Sequence, residues 1–384
     1  MIQLFRRRLG PRMSHSSYKS LEFFSANDID HSFNTAMSIP TTASEYYLPK
    51  IGSHEDLALR TKKVEQPGAS DVLVKIHAVS LQFRDLIIAT GSYPVPAPPD
   101  LVPGSDMAGE IVAIGQDVKG WKVGDRVSAN FATDHIYGDP TPATQRTTLG
   151  GAIHGVLTEY RTFPAHSLVA IPSHLSYEEA STLPCAALTA YNSLLGPVPV
   201  KAGDYVLVLG TGGVSIFGLQ FAVASGATVI ATSSSDEKLK IASKLGAKHI
   251  INYNKTPNWD EEVQKITNGV GVDHVIEIGG IGTLPKSINA IRLGGHIHIV
   301  GFVSKDTSST NLIMNTILKA AAIRGILVGS VAQFKDMNRL LSANPETTRP
   351  YIDKVFPFEE AKQAYSYLAS QAHVGKIVIK VSKD

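Results

Sequence analysis

A glycine turn in the second half of the chain has the residues needed to bind a dinucleotide phosphate. Gly210 and Gly212 directly follow the apolar run at 205–209 and open a segment of helical length. Glycine permits the sharp turn and lets backbone N–H groups approach a pyrophosphate at the helix N-terminus. The third position of this motif is Ser215, which is small enough for the helix to pack closely on the strand. The spacing predicts a dinucleotide-binding unit.

The end of the next strand indicates which dinucleotide would be bound. Sites for NAD place an Asp or Glu about 20 residues after the glycine turn, where it binds the ribose 2′-hydroxyl. Here that position falls within 232–235, Thr-Ser-Ser-Ser, which has no carboxylate. The hydroxyl of Ser234 and the cation of Lys238 suit an anionic 2′-phosphate, and we predict NADPH. Alternatively, Ser235 only caps the following helix and Lys238 is solvated; the two interpretations are compatible, because capping and phosphate binding use the same surface.

Strands and helices alternate around these residues. Repeated βα units predict a parallel, doubly wound sheet, hence an α/β fold. The uncharged residues at 205–235 could be mistaken for a membrane span, but their strand–turn–helix–strand pattern favours a buried parallel sheet. The predicted strands are 205–209, 228–232, 249–252, 273–277 and 295–300, and the predicted helices are 213–225, 236–245, 259–267 and 284–292.

The remaining segments predict a second, β-rich domain. From about 46 to 173, short strands are broken by Gly and Pro without helical periodicity, and a long loop occupies about 131–155. After 331 the pattern changes again, and we expect these last segments to return to the first domain: a helix, a strand near Val355, a helix at 358–370 and a strand at 375–381. The predicted division is an extension at 1–36, a β-rich domain formed by 37–174 and 332–384, and a dinucleotide domain at 175–331.

Composition excludes several classes of function. The net charge is +2, and the charges beyond residue 36 balance, so nothing indicates binding to nucleic acid or to an anionic membrane. Cys185 is the one cysteine, which excludes an internal disulfide and a thiolate cluster. Residues 1–36 are basic and serine-rich, like a mitochondrial presequence, although they include Glu22, Asp28 and Asp30. The alternatives are a disordered tail or translation from Met37. We expect a cytoplasmic protein, or a mitochondrial one if 1–36 is a presequence.

Five ordered motifs carry a resemblance to a known family. From about Met37 onward the chain resembles the medium-chain dehydrogenase/reductases, the superfamily of alcohol dehydrogenases and quinone reductases. The resemblance implies a GroES-like β domain built from both chain ends, a Rossmann domain, and an active site in the cleft between them. The motifs are 102–110 (VPGSDMAGE), 124–127 (GDRV), 155–160 (GVLTEY), 183–191 (LPCAALTAY) and 212–214 (GGV).

The resemblance also bears on metal binding. Zinc-dependent members place Cys, His and Cys where this chain has Gln82, Ser105 and Cys185. One thiolate cannot hold a catalytic zinc, which normally needs three protein ligands. The loop that would hold a structural zinc has no cysteine, and its histidines, His135 and His154, are interpreted as ordinary loop residues. We therefore expect a zinc-independent member similar to the quinone oxidoreductases, with no metal site.

Cofactor contacts follow from the resemblance and from sheet geometry. In the quinone reductases, residues that match Ser234, Lys238 and Tyr253 hold the 2′-phosphate. The nicotinamide is expected after the fifth and sixth strands, because open sheets bind ligands at the carboxyl ends of their strands. The predicted cofactor-binding residues are Gly210, Gly212, Gly213, Val214, Ser234, Lys238, Tyr253, Gly301, Phe302 and Val328.

Hydride transfer without a metal suits conjugated acceptors, in which delocalisation lowers the need for a Lewis acid. We expect NADPH-dependent reduction of a quinone, an enone or a related conjugated carbonyl, with Gln82, Arg84, Asp85 and Tyr93 as candidate catalytic residues. Tyr93 could donate a proton or a stacking face, and Arg84 and Asp85 could instead form a structural ion pair. The alternatives are a zinc-type alcohol dehydrogenase-like enzyme and a non-catalytic NADPH-binding protein. The resemblance further implies a small-molecule substrate and a homodimer.

Overall fold

Two large sheets organise the chain. The computed structural model describes residues 39–302 and 312–382; the predicted extension at 1–36 lies outside them. A seven-stranded mixed sheet and a six-stranded sheet account for most of the strands, and two further strands form a ribbon. Within the described ranges no helix combines the length and apolar character needed to cross a membrane.

The first half of the chain builds most of the mixed sheet. Its central strand pairs on both sides, because its side chains are apolar and buried along most of their length. The elements in this half are β1 (Thr42–Tyr47), β2 (Ala58–Lys63), β3 (Asp71–Ser80), α1 (Phe83–Ala89), β4 (Asp106–Ile114), β5 (Arg126–Ala129), α2 (Pro142–Gln145), β6 (Tyr160–Pro164), β7 (Leu168–Ala170), α3 (Tyr177–Ala180) and α4 (Leu188–Leu195).

The second half builds the parallel sheet and then returns to the first. The parallel sheet has the order β10-β9-β8-β11-β12-β13, and each of these neighbouring pairs is parallel, as an α/β fold requires. The elements are β8 (Tyr205–Leu209), α5 (Gly213–Ala224), β9 (Thr228–Ser233), α6 (Asp236–Lys244), β10 (His249–Asn252), α7 (Trp259–Ile266), β11 (Val272–Glu277), α8 (Leu284–Ala290), β12 (Ile291–Ile299), α9 (Leu312–Leu318), β13 (Ala322–Gly325), α10 (Val331–Ala343), β14 (Ile352–Pro357), α11 (Ala361–Ala369) and β15 (Lys376–Lys380).

The C-terminal strands connect the two sheets. β15 pairs with β3, with Val378 opposite Ser80, so the last strands belong to the mixed sheet. Just before β15, the backbone N–H of Gly375 donates to the carbonyl of Thr211 at 2.9 Å. This bond brings the C-terminal segment against the glycine turn of the parallel sheet.

The structure differs from the sequence prediction at several elements: β12 begins at Ile291 rather than 295, α9 and β13 had no predicted bounds, and two further helices differ. Helix α8 ends at Ala290 rather than 292, because Ile291 is already extended and pairs with Val272 of β11. Helix α1 was not expected, since its seven residues are too few to show a period. Its first turn is fixed by the carboxylate of Asp85, which accepts a hydrogen bond from the backbone N–H of Gln82 at 2.8 Å.

Candidate active site

The glycine turn after β8 forms an open cradle. Gly210 has a φ of +73°, in the left-handed region that favours glycine. A Cβ on Gly210 or Gly212 would meet no atom within 4 Å, so the backbone here faces open space. Gly213 and Val214 follow as the first residues of the 12-residue helix α5. An open backbone turn at a helix N-terminus fits a pyrophosphate.

Close packing of α5 on the sheet does not depend on the third motif position alone. The Ser215 hydroxyl donates to the carbonyl of Leu209 at 2.7 Å and ties the helix to the strand. The tightest approach lies three residues later, where a Cβ on Gly218 would clash with the side chain of Ile276. The Ser215 hydroxyl thus ties the helix to the strand, and Gly218 leaves room for the close approach.

The residues predicted for the 2′-phosphate lie beside the next two strand ends. Ser234 is exposed directly after β9, and Tyr253 is exposed directly after β10, the neighbouring parallel strand. Lys238 lies in the first turn of α6, whose N-cap Ser235 accepts from the backbone N–H of Lys238 at 3.4 Å. The sequence therefore brings these side chains to one end of the sheet.

The ammonium of Lys238 bonds to the C-terminal segment and stays partly exposed to solvent. It donates to the carbonyls of Gln371 at 2.7 Å and His373 at 3.2 Å. Partial burial lowers the pKa of Lys238 below its ordinary value. Since an ammonium has three N–H donors, one remains for an anionic ligand.

One acidic residue lies close to this surface, but its charge is used elsewhere. The carboxylate of Asp236 accepts from the amide of Asn252 at 2.6 Å and from the ammonium of Lys255. The bond from Lys255, followed by that from Asn252, lowers the pKa of Asp236. Asp236 is therefore committed to internal partners rather than directed to a ribose hydroxyl.

The residues predicted for the nicotinamide end follow two adjacent strands. Gly301 and Phe302 come after β12, and the Gly301 N–H donates to the carbonyl of Glu277 at 3.3 Å. Val328 comes after β13, is 7% exposed and has a φ of +50°. The Glu277 carboxylate accepts from the N–H groups of Gly279 at 2.8 Å and Gly280 at 3.0 Å, which fixes the loop beside Gly301.

The catalytic candidates on α1 separate into two environments. The Arg84 guanidinium lies 5.0 Å from the ring centroid of Tyr93 and 4.7 Å from that of Phe131, and its Nη1 donates to the carbonyl of Leu149 at 2.9 Å. Asp85 is buried and bonds to the N-terminus of its own helix instead. The ion pair between Arg84 and Asp85 is not among those formed by the described residues. The Nε and Nη2 groups of Arg84 are buried without a partner among the same residues.

The centre of the site is Asp106, which the sequence did not single out. Its buried carboxylate accepts from Gln82 Nε2 at 2.5 Å, from the Ser105 hydroxyl at 2.5 Å and from the Cys185 backbone N–H at 3.1 Å. Burial raises the pKa of Asp106 to about 7 and that of Asp85 to about 6. The three positions at which the family resemblance implies zinc ligands therefore converge on a carboxylate.

A second residue missed by the sequence reading is Lys376, at the start of β15. It is 3% exposed, and its ammonium donates to the carbonyl of Leu81. Burial lowers its pKa, while the charges of Asp106, Cys185 and Asp85 oppose that shift. A lysine at the start of an otherwise apolar terminal strand was the available signal, since lysine is rarely buried without a partner.

This donor set does not fit zinc. The Gln82 amide and the Ser105 hydroxyl already donate to Asp106, and a buried ammonium lies near the carboxylate. Burial, followed by the charge of Asp106, raises the pKa of the Cys185 thiol well above its ordinary value, whereas zinc binds the thiolate. Across 39–302 and 312–382, no group of three or more His, Cys, Asp or Glu could hold a metal ion. His135 bonds to the Gly138 carbonyl within the loop, and His154 accepts from the N–H of Val102, which lies before the loop.

Comparison with known proteins identifies the family. Residues 68–173 match the alcohol dehydrogenase GroES-like domain, and residues 213–343 match the zinc-binding dehydrogenase family. A zinc-type alcohol dehydrogenase-like protein of Schizosaccharomyces pombe is 51% identical over 84% of this chain and 95% of its own. The chain belongs to the medium-chain dehydrogenase/reductase superfamily. It is an oxidoreductase, and the predicted combination of a GroES-like domain with a Rossmann-type parallel sheet is confirmed.

Two further relatives have different substrates in their names. The quinone oxidoreductase of Homo sapiens is 28% identical over 86% of this chain and 95% of its own. The structure of a 2-octenoyl-CoA carboxylase reductase with NADP and 2-octenoyl-CoA aligns with a TM-score of 0.77 at 25% identity, covering 89% of this chain and 88% of that one. The superfamily thus includes both quinone and enoyl-thioester chemistry.

Proposed function

We propose that this chain is an NADPH-dependent, zinc-independent oxidoreductase that reduces a quinone, an enone or a related conjugated carbonyl by hydride transfer. One observation carries the proposal: Asp106 takes hydrogen bonds from Gln82, Ser105 and Cys185, the positions that would otherwise hold zinc. A site without a Lewis acid favours acceptors that delocalise the developing negative charge. When bound, NADPH supplies the hydride.

The cofactor would be held along the carboxyl ends of the parallel strands. Gly210, Gly212, Gly213 and Val214 offer backbone N–H groups to the pyrophosphate at the N-terminus of α5. Ser234, Tyr253 and the remaining N–H donor of Lys238 receive the 2′-phosphate, and the absence of a free carboxylate at the end of β9 favours NADPH over NADH. The nicotinamide would lie against Gly301, Phe302 and Val328.

The acceptor would be oriented by residues of α1 and the loop that follows it. Tyr93 is held in place by the guanidinium of Arg84 stacked on its ring, and it offers either a proton or an aromatic face. The unpartnered Nε and Nη2 of Arg84 are the groups that need an acceptor oxygen here. Gln82 and Asp85 fix the floor of the site: Gln82 donates to Asp106, and Asp85 accepts from the N-terminus of α1.

Turnover with a panel of acceptors tests this function. NADPH consumption with quinones, enones and enals should exceed that with saturated ketones and with NADH, in protein whose metal content is measured. Near-stoichiometric zinc with chelator-sensitive activity would instead identify a zinc-type alcohol dehydrogenase. Tight NADPH binding without turnover would identify a non-catalytic binding protein. Tyr93→Phe keeps the ring and removes the hydroxyl, so a loss of about 10²-fold or more in turnover marks a proton donor.

We also propose that the chain forms a homodimer through the outer edge of the parallel sheet. β13 lies at that edge, and the unpaired N–H and C=O groups of an edge strand can pair with a second chain. Large apolar side chains are exposed on β13 and on α9, the helix before it: Ile313, Ile317, Leu318 and Ile323. Light scattering should give twice the monomer mass, and Ile323→Lys should shift it to the monomer.

The location proposed for the protein is the cytoplasm. The alternative is mitochondrial import directed by residues 1–36. A fluorescent fusion at the C-terminus, compared with the same fusion starting at Met37, distinguishes the two, because only a presequence would send the longer form to mitochondria.

A further inference from the structure

The loop that follows β13 contains a strained residue. Val328 has a φ of +50° and is buried. A β-branched residue in the left-handed region is a genuine outlier, because its Cβ substituents crowd the backbone. Such a conformation persists only where the surrounding structure enforces it, and it is typical of functional sites.

Two buried side chains hold this loop: Asn130, whose Nδ2 donates to the Gly329 carbonyl at 3.4 Å, and Asn192 on α4. The Nδ2 group of Asn192 donates to the carbonyl of Val328 at 2.6 Å. Its Oδ1 accepts from Arg324 Nη2 at 2.8 Å and from Gln333 Nε2 at 3.0 Å. Two donors on the oxygen fix the orientation of the amide, so that its N–H group points at Val328.

The partners of Asn192 lie at both ends of the loop. Arg324 is on β13, immediately before the loop, and its Nη1 also donates to the Asn192 carbonyl at 3.0 Å. Gln333 is in the first turn of α10, immediately after the loop. The middle is held against α4 as well, since a Cβ on Gly329 would lie 2.9 Å from Leu188 Cγ. Asn192 therefore bonds to residues before, within and after the loop.

We propose that Asn192 is a positioning residue for hydride transfer. It holds the backbone at 327–329 in one conformation and thereby sets the face and distance of the nicotinamide relative to the acceptor. This inference rests on the proposed function, in which Val328 borders the nicotinamide. A misplacement of about 1 Å in a reacting group can cost about 10²-fold in rate, so loss of the bond from Asn192 to the strained Val328 is expected to have a large effect.

Two substitutions separate positioning from folding. Asn192→Asp keeps an oxygen for Arg324 and Gln333 but replaces the donor to Val328 by a second oxygen, which repels the carbonyl. Ser193→Ala is the matched control: it removes a buried hydroxyl on the same helix, bonded to the Thr189 carbonyl at 2.8 Å, and leaves the loop untouched. The readouts are single-turnover hydride transfer from 4R- and 4S-deuterated NADPH, the Kd for NADPH and the thermal midpoint.

Asn192→Asp should slow hydride transfer by about 10- to 100-fold and reduce its preference between the two deuterated cofactors, with the Kd for NADPH changed less than about threefold. Ser193→Ala should change none of these. Unchanged rate and facial preference in a folded Asn192→Asp variant would overturn the inference. So would losses of rate and of NADPH binding that simply follow the thermal midpoint.

A readout that needs no turnover keeps this inference separate from the proposed function. Amide hydrogen exchange at 327–329 should be at least tenfold faster in Asn192→Asp than in the wild type or in Ser193→Ala. If the wild type reduced no acceptor, the proposed function would fail. The exchange rates at 327–329 would still show whether Asn192 holds the loop in one conformation. Equal exchange in all three proteins would show that Asn192 does not hold the loop, and it would overturn the inference.

Discussion

The glycine turn and the Asp106 centre are assembled in different ways. The turn is contiguous: Leu209 to Ser215 contain both the curvature and the hydroxyl that ties helix to strand. The Asp106 centre draws Gln82, Cys185 and Lys376 from three distant parts of the chain. A contiguous site is visible as spacing in the sequence, whereas a converging one depends on pairing between strands far apart in the chain.

The two regions also differ in charge. The turn offers neutral N–H groups to a ligand from outside, while the Asp106 centre balances its own charges internally. Burial raises the pKa values of Asp106 and Asp85, so the folded state holds protons that the unfolded chain releases. Their contribution to stability is therefore present at low pH and is lost as the pH rises toward about 7. The nearby ammonium of Lys376 limits that loss.

Removing this ammonium should give the largest effect. Lys376→Met keeps the packing of the side chain beside Gly213 but leaves Asp106 without its buried cation and Asp85 with the charge of Arg84 alone. We expect a loss of about 3–5 kcal/mol in the free energy of unfolding at pH 8, the cost of breaking a buried charge pair. The loss should shrink at pH 5.5, where both carboxyls hold protons. Urea denaturation at the two pH values measures it.

A second substitution shows whether the loss is electrostatic. Adding Asp106→Asn to Lys376→Met removes the main uncompensated charge and should recover part of the stability at pH 8. If the single variant lost the same free energy at both pH values and the double variant recovered nothing, Lys376 would act through packing alone.

The comparison also explains which parts could be predicted from the sequence. The strand at 249–252 and the glycine turn before α5 follow from local periodicity and spacing, and the structure has both; binding of a cofactor at Gly210 stays a prediction. Asp106 lay inside a quoted motif, yet nothing local showed that its carboxylate would accept three hydrogen bonds. The role of Asn192 was equally hidden, because its partners at 324, 328 and 333 are more than 130 residues away. Long-range convergence, rather than weak propensity, limits such a prediction.

A buried polar pair in the parallel sheet should respond to pH in the opposite direction. His274 and His298 are stacked and bonded through Nδ1 and Nε2 at 3.2 Å. Burial lowers their pKa values to about 4 and about 3. The unfolded chain binds protons first on acidification, so stability is full above about pH 6.5 and is lost as the pH falls toward about 4. We expect the pair itself to cost roughly 2–3 kcal/mol between pH 6.5 and 5, while Asp106 and Asp85 shift stability the opposite way over the same interval. The pair's share is therefore measured as the difference between the wild type and a variant with Gln at both positions, which should be more stable relative to the wild type at pH 5 than at pH 6.5; an unchanged difference would assign the acid sensitivity to other groups.

At the cofactor end, Lys238→Ala tests the preference for NADPH. Loss of a charge-assisted bond to the 2′-phosphate should weaken NADPH binding by on the order of 1–3 kcal/mol, about ten- to a hundredfold, and leave NADH nearly unchanged. Isothermal titration with both cofactors measures this difference. Because Lys238 also bonds to the carbonyls of Gln371 and His373, an equal loss for both cofactors would show that its role is to hold the C-terminal segment.

The smallest effect is expected at Cys185, the last of the three positions at which the family resemblance implies a zinc ligand. Cys185 lies in a π-helical turn, Leu183–Ala187, and contributes its backbone N–H, not its sulfur, to Asp106. Cys185→Ser retains that N–H and should leave NADPH-dependent reduction of a simple quinone within about tenfold, a barrier change below roughly 1.4 kcal/mol. A thiolate ligand or nucleophile would instead cost several orders of magnitude. Steady-state rates, with the thermal midpoint measured alongside, distinguish the two. A thousandfold loss in a stably folded variant would reject a mechanism that does not need the sulfur of Cys185. A mild loss would show that the charges of this centre come from Asp106 and Lys376.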